Sequence, residues 1–186
     1  HPELAPQVLD LLERYDAQAT FFCVGHKVEA HREPVREMVR RGHQVGNHSY
    51  AHSNAFAFNG PRGMRREIER AQEAIGRVTG RLPTLFRAPA GIRNPFLEPV
   101  LCRLGLHLTA WARRGFDTVT ADPARVAKRL TDGLSAGDIL LLHDGSSARA
   151  AGGRPVILEA LPRVLEAIAS AGLRSVGIGV PAGADG

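Results

Sequence analysis

The chain has 186 residues, 44% of them hydrophobic and 23% charged, with a formal net charge of +5 at neutral pH. That is the size and composition of one soluble domain that buries a core without disulfide or metal staples, which excludes collagen-like, disordered and disulfide-scaffold classes. The basic excess is almost all arginine, with Lys27 and Lys128 the only lysines, and it is spread in nothing longer than pairs such as Arg40 and Arg41. No basic run, nucleic-acid motif or aromatic stacking surface emerges, so no nucleic-acid partner is expected.

In chain order, Leu4, Val8, Leu11, Leu12 and Tyr15 repeat at helical spacing and predict a first helix. Residues 19–24 form a short apolar run closed by Gly25, a buried strand. A second helix is predicted over 33–41, closed by Gly42, then a brief strand at 44–46. Met64, Ile68, Ala71, Ile75 and Val78 mark a third helix ending near Gly80. Strand 83–86, helix 96–104 and strand 106–110 follow. Helix 123–134 has Asp122 as its N-cap, and the strongly apolar strand 139–142 comes next. Helix 155–171 and a closing strand at 174–178 complete the series, with 181–186 a disordered tail. Such alternation predicts an α/β fold with parallel strands, in one domain over 1–180. The opening helix, where a strand is usual, implies a sheet or barrel lacking its first strand. Cys23 and Cys102 read as buried small hydrophobes, a disulfide between them being left open. Apolar runs such as 139–142 are too short to cross a bilayer. No secretory leader precedes the first helix, since the chain opens on His1, Pro2 and Glu3, so the compartment is not legible.

Polar residues gather directly after the predicted strands: Asn47, His48, Ser49 and His52; Arg87; Trp111 and, further on, Asp117; His143 and Asp144. In parallel α/β folds, functional groups collect at the C-terminal strand ends. His48 and His52 are four apart, and on a helical turn both imidazoles would converge on one metal; the alternative is a pair of solvent or capping histidines. A catalytic zinc takes three protein ligands, and the third is not evident. Arg87 reads either as a strand-end ion pair or as a group orienting a carboxylate or gripping a substrate oxygen. His143 reads either as a histidine satisfied by a carbonyl or as a general acid or base, with Asp117 either a turn residue or its orienting partner.

Taken in order, His48 to His52 (His-Ser-Tyr-Ala-His), Arg87 to Gly91 (Arg-Ala-Pro-Ala-Gly), Trp111 with Asp117, and Leu141 to Gly145 (Leu-Leu-His-Asp-Gly) resemble the polysaccharide deacetylase family. This carbohydrate esterase group includes chitin, chitooligosaccharide and peptidoglycan deacetylases. Residues 19–25 and 41–49 carry the same likeness, which spans nearly the whole chain. The resemblance implies a distorted, incomplete (β/α) barrel that hydrolyses an acetyl group on an N-acetylated sugar with a divalent metal, commonly zinc, with cobalt or manganese as alternatives. It implies that His48 and His52 are metal ligands and that Arg87 orients the base. The Ala90 N–H would stabilise the oxyanion, and His143 would be the general acid, held by Asp117. Leu141 would wall the acetyl pocket, with Trp111 near it at a strand end.

There are two departures. The family's Thr-Phe-Asp-Asp-Gly-Pro segment, source of the base and the third ligand, has no counterpart; His1 to Leu4 look like the residues that follow it. Thr118 stands where relatives often carry a pocket tryptophan, and Arg114 where they often carry an acid. The expected function is therefore a metal-dependent deacetylase of an acetylated glycan or sugar, lacking its first catalytic segment. The alternatives are a non-catalytic glycan-binding or interaction module and an amide hydrolase of a lipid-linked or small sugar. Family members often work outside the cytoplasm.

Overall fold

The computed structural model describes residues 2–179, and the tail expected at 181–186 lies outside them. The described chain forms two compact units, one of residues 20–110 with 177–179, the other of residues 2–19 with 111–176. Among the described residues no helix is long and apolar enough to cross a membrane.

The first unit carries a parallel sheet of β1 (Thr20–Cys23), β2 (Gln44–Asn47), β3 (Leu85–Phe86) and β4 (His107–Leu108), in that spatial order. Thr20 pairs with Gln44 and Cys23 with Asn47; Asn47 then pairs with Phe86, and Phe86 with Leu108. Each crossover is helical, as a parallel sheet requires. β1 leads through α2 (Gly25–Ala30) and α3 (Arg32–Arg40), β2 through α4 (Pro61–Thr79), and β3 through α5 (Leu97–Arg103). α4 begins on Pro61, buries Met64, Ile68, Ala71, Ala74 and Ile75 along one stripe, and stops at Gly80, whose φ of 72° is a left-handed cap. Ile68 and Phe86 lie in one cluster with Phe56, Leu97 and Leu101. Each large apolar side chain so buried contributes roughly 1.5–3 kcal/mol.

The second unit holds α1 (Ala5–Arg14), the parallel pair β5 (Arg113–Arg114) and β6 (Leu140–Leu141), α6 (Pro123–Thr131) and α7 (Ile157–Ser170). Arg113 pairs with Leu140 and Arg114 with Leu141. Asp122 caps α6 as expected, its carboxylate accepting from the N–H groups of Ala124 at 2.9 Å and Arg125 at 3.2 Å. α7 packs against both α6 and α1, burying Leu161, Val164 and Leu165.

Several expectations are corrected. Residues 174–178 form no strand: one backbone bond joins Gln18 N–H to the Ser175 carbonyl, and the Ile178 N–H donates to the Thr20 hydroxyl, so no ladder forms. α2 went unexpected because Val28 is the single large apolar residue in its six and no period is visible. The strand expected at 106–110 is confined to β4, and the strand nearest before Asp117 is β5. Cys102 is exposed rather than buried, because it lies on the outer side of α5, whose buried stripe is Leu97, Val100 and Leu101; Cys23 is half-buried, and no disulfide joins the two.

Candidate active site

In the first unit the candidate residues lie along one edge of the sheet. His48 follows the last residue of β2 and Arg87 the last residue of β3, and those two last residues pair with each other. The His48 main-chain N–H donates to the Cys23 carbonyl and the Arg87 N–H to the Asn47 carbonyl, which carries the strand alignment into the loops. The His48 ring then crosses to the neighbouring loop, where its Nδ1 donates to the Arg87 carbonyl at 2.7 Å. A carbonyl only accepts, so Nδ1 carries a proton, and Nε2 is the ring nitrogen turned away from this bond.

The two imidazoles come together, their ring centroids 4.7 Å apart. They do so without the expected helical turn. Ser49 and His52 both have left-handed backbones, with φ of 62° and 51°, so residues 48–52 fold as a tight irregular loop. The loop is held by side chains. Asn47, fully buried, accepts the Ser49 N–H at 2.9 Å and donates to the Ile68 carbonyl and to Gln72 Oε1, each at 3.0 Å. Ser49 Oγ accepts the His52 N–H at 3.1 Å, and Glu67 accepts the Ala51 N–H at 2.9 Å. From the other side, the N–H groups of Gly25 and His26 donate to the carbonyls of Ser49 and Tyr50. Tyr50 donates to Glu29 at 2.7 Å; that bond and the Arg77 guanidinium hold Glu29 below the usual carboxylate range, and the same bond lifts the Tyr50 phenol.

Arg87 is 8% exposed, and its guanidinium donates to the carbonyls of Thr109 at 3.4 Å and Ala110 at 3.1 Å and lies 4.1 Å from the Phe22 ring centroid. Burial draws its pKa down to about 10, which leaves it cationic at neutral pH. Ala90, with φ of 53°, sits exposed in the turn Pro89–Gly91.

In the second unit, Asp117 follows β5 and His143 follows β6, so both stand past the C-terminal ends of paired strands. Asp117 is fully buried; its Oδ1 accepts from His143 Nδ1 at 2.9 Å and its Oδ2 from the His143 main-chain N–H at 2.7 Å. The Asp117 carbonyl accepts the Ala148 N–H, which ties the loop beyond His143 to the same residue. This is the orienting-partner arrangement, and Nε2 is the ring nitrogen turned away from the carboxylate. Leu141 is buried in β6 and Trp111 half-buried. Arg114 packs its guanidinium 5.8 Å from the Trp111 centroid and 4.9 Å from that of Phe116.

The donor chemistry of His48 and His52 fits two ligands of a zinc-type centre: two imidazoles side by side, one oriented by a backbone carbonyl at Nδ1, as metal-binding histidines commonly are. Among the described residues no group of three or more His, Cys, Asp or Glu side chains is arranged to hold a metal ion. The sequence reading missed Asn47, Ser49 and Gly25 as the parts that shape the loop. The polar cluster Asn47, His48 and Ser49 at the strand end was the available signal; the left-handed backbone carried none.

A polysaccharide deacetylase family model matches residues 1–109. The chain belongs to the polysaccharide deacetylase family. This places it among the deacetylase hydrolases. It is 29% identical to a peptidoglycan-N-acetylglucosamine deacetylase of Bacillus cereus, over 94% of this chain and 80% of that protein. It is 30% identical to a chitooligosaccharide deacetylase of Azorhizobium caulinodans, over 92% of this chain and 85% of that protein. Among solved structures, a family 4 carbohydrate esterase from Streptomyces lividans in complex with acetate superposes with a TM-score of 0.83 at 30% identity, covering 92% of this chain and 84% of the other. The α/β class with parallel strands, expected from the order of elements, is thus the fold of the polysaccharide deacetylases.

Proposed function

We propose that this polysaccharide deacetylase family member removes an acetyl group from an N-acetylated sugar or glycan in a metal-dependent hydrolysis, with His48 and His52 as two of the metal's ligands. The observation that supports this most is the His48 ring, whose Nδ1 is committed to the Arg87 carbonyl while its ring lies beside that of His52. A bound divalent ion, zinc first, with cobalt and manganese as alternatives, would supply Lewis-acid polarisation of the acetyl carbonyl and a more acidic bound water. Arg87, cationic and held by two carbonyls, orients a carboxylate base. The Ala90 N–H donates to the acetyl oxygen as negative charge develops there. His143, as imidazolium, gives its Nε2 proton to the leaving amine, and Asp117 stabilises that cation through Nδ1. Leu141 and Trp111 contact the acetyl methyl, and Thr118 leaves room beside them.

The test is zinc content and acetate release from N-acetylglucosamine oligomers, measured on the full-length protein. His48→Ala is expected to lose both zinc and release. His143→Ala is expected to keep zinc and to lose roughly 100-fold or more of the release. Zinc and turnover retained in His48→Ala would overturn the ligand assignment. Oligosaccharide binding without release by the metal-loaded protein would replace the proposal with the glycan-binding module, and release from small or lipid-linked sugars alone with the amide hydrolase.

A further inference from the structure

The loop that carries His52 continues into the 3-10 turn Asn54–Phe58, which presents two phenylalanines in opposite ways. Phe56 is fully buried and packs on Phe86 with ring centroids 5.8 Å apart, whereas Phe58, two residues later, is 88% exposed. A single exposed apolar side chain calls for no explanation by itself. Here the backbone around the exposed ring is pinned. Asn94 donates from its one amide nitrogen to the Ala57 carbonyl at 2.8 Å and to the Asn59 carbonyl at 3.2 Å, the residues on either side of Phe58. Its oxygen accepts the Phe96 N–H at 3.0 Å.

One side chain therefore fixes the base of Phe58 and the segment bearing two further exposed apolar residues, Ile92 and Phe96. That segment starts at the turn holding Ala90, and the turns Asn54–Phe58 and Pro89–Gly91 touch. The loops with His52 and Ala90 thus run on into the segments that carry the exposed Phe58, Ile92 and Phe96, all within the first unit. Fold stability gives no reason for it, since Phe56 already anchors this turn in the core. An aromatic face on a pinned loop is suited to the apolar C–H face of a pyranose ring, and a rigid ring binds without a large ordering cost.

We propose that Phe58 is a specificity-determining residue, stacking on a sugar ring of the glycan chain next to the residue being deacetylated, with Asn94 as the positioning residue that holds it there. This rests on the deacetylase reading for the identity of the bound chain. It makes the protein a reader of oligomers: a monosaccharide does not reach the platform, and longer chains gain from it.

The experiment is calorimetric binding of the N-acetylglucosamine tetramer and monomer to the full-length protein, its Phe58→Ala variant and its Phe58→Tyr variant. Tetramer affinity is expected to fall about tenfold in Phe58→Ala and to be restored in Phe58→Tyr, with zinc content unchanged in both. Where turnover is measured, the loss appears in KM rather than kcat, because the ring contacts substrate and transition state alike. Tetramer binding unchanged in Phe58→Ala, or a wild type that binds the tetramer no better than the monomer, would overturn the proposal. Weakened binding in Phe58→Ala together with no acetate release from the wild type would sink the deacetylase reading and leave the stacking role standing.

Discussion

Asp117 grips His143 twice, at the ring through Oδ1 and at the main chain through Oδ2, from a position with no solvent exposure. Both carboxylate oxygens are acceptors, and both bonds need an acceptor. Asp117→Asn keeps the shape but turns one oxygen into a donor, so one His143 N–H loses its partner. Leaving a buried polar group unpaired costs about 1–3 kcal/mol, which urea unfolding will read as a lower midpoint. Acetate release should fall roughly 100-fold or more with zinc content unchanged. Release equal to wild type would show that the grip does not serve the acid step.

Asn47 performs the corresponding task for the histidine pair. Its side chain makes three hydrogen bonds from full burial, one of them to the loop it precedes. Asn47→Ala leaves the Ser49 N–H without its acceptor, while the Ile68 carbonyl keeps its bond inside α4, and is expected to cost about 1–3 kcal/mol. Because those bonds set the loop, zinc affinity should fall as well, although Asn47 is no ligand. A variant with unaltered zinc affinity and lowered stability would separate the anchor from the site.

Gly25, the first residue of α2, packs closely against Tyr50 of the histidine loop and Ala71 of α4. A Cβ built there would stand 2.7 Å from the Tyr50 ring, 3.0 Å from the Ala71 Cα and 3.1 Å from the Tyr50 Cα. The ring end can turn aside, but the two backbone atoms cannot. Gly25→Ala is expected to cost about 1–3 kcal/mol through overpacking, against the usual gain from replacing glycine in a helix. A neutral or stabilised variant in thermal unfolding would refute the close approach.

Glu37 supplies a pH signature away from the site. Hydrogen bonds from Arg40 and Arg41 lower its pKa from 4.5 to about 2. The folded protein thus binds this proton less readily than the unfolded chain, so the contribution is complete above 4.5 and is lost as pH falls through about 2. Urea midpoints of wild type and Glu37→Gln should differ most near pH ~6 and converge toward pH ~2, as proton linkage requires. A gap independent of pH would show that the charge of Glu37 is not what stabilises α3.

The long periodic elements were legible in the residues themselves. Met64, Ile68, Ala71 and Ile75 lie one helical turn apart, and α4 buries all four; Asp122 before Pro123 announced the start of α6. Short or aperiodic pieces were not. α2 offers only Val28 to a pattern search, and Arg113 and Arg114 form β5 although nothing in two arginines suggests a strand. Their strand state comes from pairing with Leu140 and Leu141.

The sequence by itself determined the alternation of helix and strand, and it marked His48, His52, Arg87, Asp117 and His143 as groups with chemistry to do, because composition and spacing are local properties. Only the tertiary structure decided how His48 and His52 meet. Their four-residue separation suggested a helical turn, yet Ser49 and His52 adopt left-handed backbones within a loop held by bonds from Asn47, Gly25, His26 and Glu67 and by Ser49 Oγ. It also decided the orientation of the His48 ring, since the carbonyl that accepts from its Nδ1 belongs to Arg87, 39 residues away in sequence and one strand away in space. Hydrogen-bond partners across a parallel sheet are set by register, and register exists only once the strands have paired.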